Sequence, residues 1–134
     1  TNPKVELTLP VMENMELAAT KTAEVVAKRM GLDDIKTAEI NMALIEACIN
    51  AFEHSKSKEN VYITYVIEKD NLVIKVGDRG VGFDSEVVAI PNIDEKINSD
   101  HKRGWGLKLM KELMDTVEFE TTDSGTTVTM TKSK

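Results

Sequence analysis

A single cysteine, Cys48, is all the sequence holds, so no disulfide can form within the chain and a reducing, cytoplasmic setting is expected. Basic blocks are missing as well. Lys and Arg number 17 against 23 Asp and Glu, giving a net charge of -6 and no phosphate footprint for direct nucleic-acid binding. A short run such as Lys56-Ser57-Lys58-Glu59 reads as a solvated loop. No apolar run reaches membrane-spanning length and no signal-peptide pattern opens the chain, so no membrane attachment is expected. Internal repeats, low-complexity tracts and interdomain linkers are lacking too. The first residue is Thr1 rather than Met, which fits a trimmed chain or one domain of something longer, and residues 1–134 are read as one domain.

What is present suits a globular domain. The hydrophobic fraction of 41% and charged fraction of 30% are ordinary, and 134 residues suffice for a real core. Val5-Glu6-Leu7-Thr8-Leu9 alternates and stops at Pro10, as an edge strand does. From Met12 to Met30, the positions Met12, Met15, Ala18, Ala19, Thr22, Val25, Val26 and Met30 follow helical spacing. Gly31 stands where a C′ glycine would end that helix, and Asp33 or Asp34 is placed to cap the next.

The second helix, from about Ile35 to His54, is apolar nearly all round. Ile45, Cys48, Ile49 and Phe52 fill one broad face, beside Leu44, Ala47 and Ala51. Cys48 on that face reads as a buried structural thiol rather than a nucleophile. A narrow polar stripe opposes it: Glu39, Glu46, Asn50 and Glu53. The stripe is either a solvated helix face or a set of buried polar groups that need partners.

Val61 to Ile67 and Leu72 to Val76 are rich in β-branched and aromatic residues, with a hairpin turn expected at Lys69-Asp70-Asn71. Gly77-Asp78-Arg79-Gly80-Val81-Gly82 punctuates the end of the second strand. Ser85 to Lys102 lacks periodicity and reads as a mobile loop with room for one helical turn. Arg103-Gly104-Trp105-Gly106 then opens a helix whose Leu107, Met110, Leu113 and Met114 face inward. Strands over Thr116–Thr121 and Thr126–Thr131, joined at Asp123-Ser124-Gly125, complete the chain. Consecutive strand pairs predict an α/β two-layer sandwich, its sheet mixed but mostly antiparallel, with helices on one face.

Four features share a chemical rationale in a bound nucleotide. Asn50 offers a hard amide oxygen suited to Mg²⁺, which prefers oxygen ligands and phosphate oxygens beside them. Glu46, one turn earlier, is placed to accept a proton from an attacking hydroxyl. Asp78 at a strand end suits an exocyclic amine, and Gly80 and Gly82 permit close backbone approach to a ring. Gly104 and Gly106 at a helix start would leave amide donors for phosphate.

In this order and spacing the set resembles the N, G1, G2 and G3 boxes of the Bergerat-fold (GHKL) ATPase superfamily, over about Ile40 to Thr131, and no Walker A pattern competes with it. Within it the sequence is similar to the bacterial anti-sigma-factor serine kinases. Glu46 to His54 looks like their N box, Asp78 to Asp84 like their G1 box, and Arg103 to Met110 with Leu113-Met114-Asp115 like their G2 helix. The resemblance implies that Glu46 is the general base, Asn50 the Mg²⁺ ligand and Asp78 the adenine reader. It also places Gly80, Gly82, Arg103, Gly104, Trp105, Gly106, Leu107 and Thr127 around the ATP or ADP. Trp105 departs from the commoner pattern between the two G2 glycines; it shields phosphates, packs under a lid, marks a partner surface, or simply holds the helix start. His54 reads as a structural hydrogen-bonder and His101 as lid surface.

The implied function is a serine/threonine kinase that phosphorylates an anti-sigma-factor antagonist and sequesters a sigma factor, commonly as a homodimer. Two alternatives stand beside it: a non-catalytic, nucleotide-gated binding module, and the catalytic domain of a histidine kinase. Retention of Glu46 favours the enzyme, because nucleotide binding alone needs no base there.

Overall fold

The computed structural model describes residues 2–54, 60–78, 101–122 and 125–134. The elements run β1 (Lys4–Leu9), α1 (Glu16–Met30), α2 (Asp34–His54), β2 (Val61–Ile67), β3 (Asn71–Gly77), α3 (His101–Leu113), β4 (Thr116–Thr122) and β5 (Gly125–Ser133). The strands form one sheet in the order β1-β2-β3-β5-β4, and every pairing is antiparallel. The expected mixed sheet is thus fully antiparallel among the described residues, because each neighbouring pair is joined in a sense that reverses the chain.

Alternation along the strands builds the core. Val61, Ile63 and Tyr65 of β2, Leu72, Ile74 and Val76 of β3, and Val128 and Met130 of β5 are buried against the helices. Tyr62, Val66, Val73 and Lys75 point to the other face and stay half-buried. The described helices all cover one face, which is the expected two-layer arrangement. The Tyr65 hydroxyl, fully buried, donates to the Ala19 carbonyl at 2.7 Å and so ties α1 to β2.

Gly31 ends α1 in the left-handed region at φ 84°, which a residue with a Cβ rarely adopts. Its amide donates to Lys28 and that of Leu32 to Ala27, the paired bonds of a Schellman end. Asp33 rather than Asp34 caps α2, its Oδ1 accepting from the Lys36 amide at 2.8 Å. Asn41 of α2 donates to Glu24 of α1 at 3.2 Å across the pair.

Several apolar positions fall on solvent instead of the core. Residues 11–15 form turns before α1, leaving Met12 exposed, and Val25 is 70% exposed. On α2 the core face is Ile40, Ala43, Leu44, Ala47 and Cys48, while Ile35, Met42 and Ile49 line the outer side at seven-residue steps. The helix is flanked by α1, the sheet and α3, and among the described residues its fourth side has no neighbour. Ile49 therefore leaves the broad apolar face assigned to it, at 37% exposure. The Cys48 thiol is fully buried, and burial first, then the Glu16 carboxylate, push it up to about 12. It is an inert core group.

Candidate functional site

The polar stripe of α2 is a solvated face only in part: Glu53 is exposed, while Glu39, Glu46 and Asn50 are half-buried. Glu39 and Glu46 stand seven residues apart, and each turns toward α3. Glu39 pairs at 2.9 Å with Lys132 of β5, whose buried ammonium also donates to the Leu113 carbonyl at the C-terminus of α3. Glu46 meets the other half of the same helix: a Cβ built on Gly106 would lie 2.7 Å from its Oε2 and 3.6 Å from its Cδ. The two helices therefore run antiparallel, with Glu39 and Glu46 along their seam. Asn50, half-buried, follows Glu46 by one turn on that side of α2.

The opening of α3 differs from the expected one. His101 is already helical, so Gly106 stands in the second turn. Its amide lies beyond the four that an α-helix leaves without internal partners, and belongs to the helical ladder. Leu107, next in line, is buried in the core, as are Met110 and Met114, while Leu113 is half-buried.

A second cluster forms where β3 ends. Asp78 is buried, and its Oδ1 accepts from the Thr126 amide at 3.0 Å while its own amide donates to the Thr126 carbonyl at 3.4 Å. Thr127, also buried, is the register partner of Gly77. The Thr126 and Thr121 hydroxyls approach to 3.4 Å alongside. The carboxylate is thus fixed by backbone, in a place where one oxygen is committed to the protein.

The two clusters share one end of the sandwich. Asp115, just after α3, accepts from the Ser133 amide and hydroxyl, and its amide donates to Thr131, so α3 runs toward the C-terminal end of β5. Glu46 and Gly106 lie toward the opposite end, where Thr127 and Asp78 stand. Glu46, Asn50, Gly106, Leu107, Asp78 and Thr127 are thereby collected at that end. Gly80 and Gly82 lie outside the described residues, as do residues 85–100, over which a loop was expected. Arg103, Gly104 and Trp105 fall in the first turns of α3, but the side chains of Arg103 and Trp105 lie outside the described part, as do those of His54 and His101.

Two participants escaped the sequence reading. Thr126 acts through its backbone amide, and a backbone donor has no residue signature. Lys132 did leave a signal: it continues the inward alternation of Val128 and Met130, where a cation needs a partner. Among the described residues no group of three or more His, Cys, Asp and Glu could cage a metal. The Asn50 amide is of a ligand type that suits Mg²⁺ beside phosphate oxygens. No helix of the described residues is long and apolar enough to cross a membrane.

With this geometry in hand, comparison with known proteins is specific. The family model for the histidine kinase-like ATPase domain matches residues 11–132. The serine-protein kinase RsbW of Bacillus cereus is 32% identical over 96% of this chain and 84% of its own length. RsbW of Bacillus velezensis gives the same identity and coverage. Among solved structures, the RsbU and RsbW domains of a Mycobacterium tuberculosis protein align with a TM-score of 0.70 at 22% identity, covering 98% of this chain and 33% of that one. The catalytic domain of the histidine kinase ThkA aligns with a TM-score of 0.60 at 14% identity, covering 98% and 97%. Those two likenesses speak to the fold alone.

Proposed function

Because the chain belongs to the histidine kinase-like ATPase domain family and is related along most of its length to serine-protein kinases, we propose that it transfers the γ-phosphoryl group of Mg-ATP to a serine or threonine of an anti-sigma-factor antagonist. The observation that carries this reading is Glu46, a carboxylate held at the α2–α3 seam with Asn50 one turn beyond. Glu46 accepts the proton of the acceptor hydroxyl as its oxygen attacks the γ-phosphorus. The bond from phosphorus to the β,γ-bridging oxygen breaks, ADP departs with that electron pair, and a phosphorylated side chain forms. Asn50 would hold Mg²⁺ together with phosphate oxygens, where the ion neutralises phosphate charge. Asp78, with Oδ1 bound to Thr126, offers its other oxygen to the adenine amine, and Thr127 stands beside it. Gly80, Gly82, Arg103, Gly104, Trp105 and Leu107 complete the nucleotide surroundings.

In the cytoplasm the same domain sequesters a sigma factor, and phosphorylation of the antagonist decides when it does so. A non-catalytic, nucleotide-gated module would bind ATP with no need for Glu46. Incubation with labelled ATP and candidate antagonist proteins, followed by mapping of the phosphorylated residue, separates the two. Glu46→Gln keeps shape but loses the proton acceptor, so transfer falls by roughly 10²–10⁴ while nucleotide affinity holds. Asn50→Ala weakens Mg²⁺-dependent binding and transfer together. Wild-type transfer by Glu46→Gln would remove the base assignment, and binding without any transfer by the parent protein would leave the module.

A further inference from the structure

We propose that Gly106 is a positioning residue for the general base: its missing side chain sets where the Glu46 carboxylate rests. This deepens, and rests on, the reading of Glu46 as base. The three atoms nearest to a Cβ at this position all belong to Glu46: Oε2 at 2.7 Å, Cδ at 3.6 Å and Cβ at 3.9 Å. Glycine is disfavoured against alanine inside a helix, and Gly106 is well inside α3. Its φ is not in the left-handed region, so backbone conformation does not call for glycine here. Nor does hydrogen bonding, since its amide lies within the helical ladder. What the position does require is space, and the space is filled by the end of one carboxylate.

The obstructing atoms terminate a flexible side chain. A methyl group at 106 is therefore accommodated by swinging the carboxylate aside, not by unpacking the helices. Stability is kept and geometry is lost. A shift of about 1 Å in a reacting group is enough to cost roughly a hundredfold in rate. The reading also separates Gly106 from a phosphate-binding glycine, whose substitution would weaken nucleotide affinity.

The test is Gly106→Ala in the full chain. The Glu46 side-chain carboxyl carbon is followed by NMR at fixed pH, its resonance assigned by its loss in Glu46→Gln. Thermal unfolding and calorimetric titration with ADP and Mg²⁺ accompany it. The expected result is a displaced carboxyl resonance, an unfolding temperature no lower than that of the parent, and ADP affinity within about twofold. Phosphoryl transfer falls roughly a hundredfold. Gly106→Ala adds no further loss in the Glu46→Gln background, because both act through one group. An unmoved Glu46 resonance overturns the proposal, and so does a clear loss of ADP affinity, which would make Gly106 a nucleotide contact. If Glu46→Gln transfers at the parental rate, the base reading fails on its own, while the NMR result still decides whether Gly106 places the carboxylate.

Discussion

The Asp78 carboxylate and the Thr126 amide meet at 3.0 Å across 48 positions of sequence. The contact does two things. It anchors the end of β3 to the start of β5, and it commits one carboxylate oxygen so that the other has a defined direction.

Asp78→Asn tests the use of that direction. An amide oxygen still accepts from Thr126, so the fold is retained, but an NH₂ group replaces the acceptor meant for the adenine amine. A buried polar group left unmatched costs about 1–3 kcal/mol, so ADP affinity falls tenfold or more and the preference for ADP over GDP narrows. Calorimetry with both nucleotides reads this. Equal affinity of the parent for ADP and GDP would remove Asp78 as the base reader.

Lys132→Met strips the α2–α3 seam of its cation. The Leu113 carbonyl loses a donor and Glu39 keeps an unpaired carboxylate. Full burial would make such a loss severe, but Glu39 is 36% exposed, so a cost of about 2 kcal/mol in urea unfolding is expected. Glu39→Gln, which retains an acceptor, costs less. A stability change near zero for Lys132→Met would mean that water replaces the pair without penalty.

Asp115 makes stability depend on acidity. Hydrogen bonds from the Ser133 amide and hydroxyl hold its carboxyl below the ordinary value of 3.8. A lowered folded-state value means that the contribution is present above that ordinary value, and disappears as pH falls through the lower one. Thermal melts descending from about pH 5 therefore show a loss below the usual carboxylate range, and Asp115→Asn flattens it. The group is well exposed, so the effect is small. An identical slope in the variant would assign the acid loss elsewhere.

Self-association is expected through β1 and α1. β1 is a sheet edge with one side unpaired by the other described strands, and α1 exposes Leu17 and Val25. Light scattering should give the mass of a homodimer, and Val25→Lys should shift it toward the monomer. A strictly monomeric mass at high concentration rejects this.

How much of this was legible in the sequence varies with the range of the interaction involved. β2 appears with the boundaries its β-branched run implied, and α2 begins within one residue of the expected start. Strong local pattern and end signals determine both. The burial of α2 was misjudged for a geometrical reason: helical period tells which residues share a face, not how many neighbours the helix has. Ile35, Met42 and Ile49 look like core residues until α1, α3 and the sheet are seen to leave one side open. The α2–α3 seam was read only as a stripe, because Lys132 lies 93 residues after Glu39 and nothing local connects them. At the site, Glu46, Asn50 and Asp78 were marked by motif. The way Gly106 fits against Glu46 was not, since the motif records a glycine and not what occupies its space.

The position of β5 in the sheet has a consequence for how the protein is made on the ribosome. β5 lies between β3 and β4, so β4 emerges with no strand to pair with until β5 follows it. The same strand carries the Thr126 amide for Asp78 and the Lys132 ammonium that joins α2 to α3. During translation the earlier elements can assemble β1-β2-β3 under two helices, but neither the Glu39 end of the α2–α3 seam nor the Asp78 carboxylate is fixed before β5 has been synthesised. The nascent chain thus completes the surroundings of Asp78 last and at once.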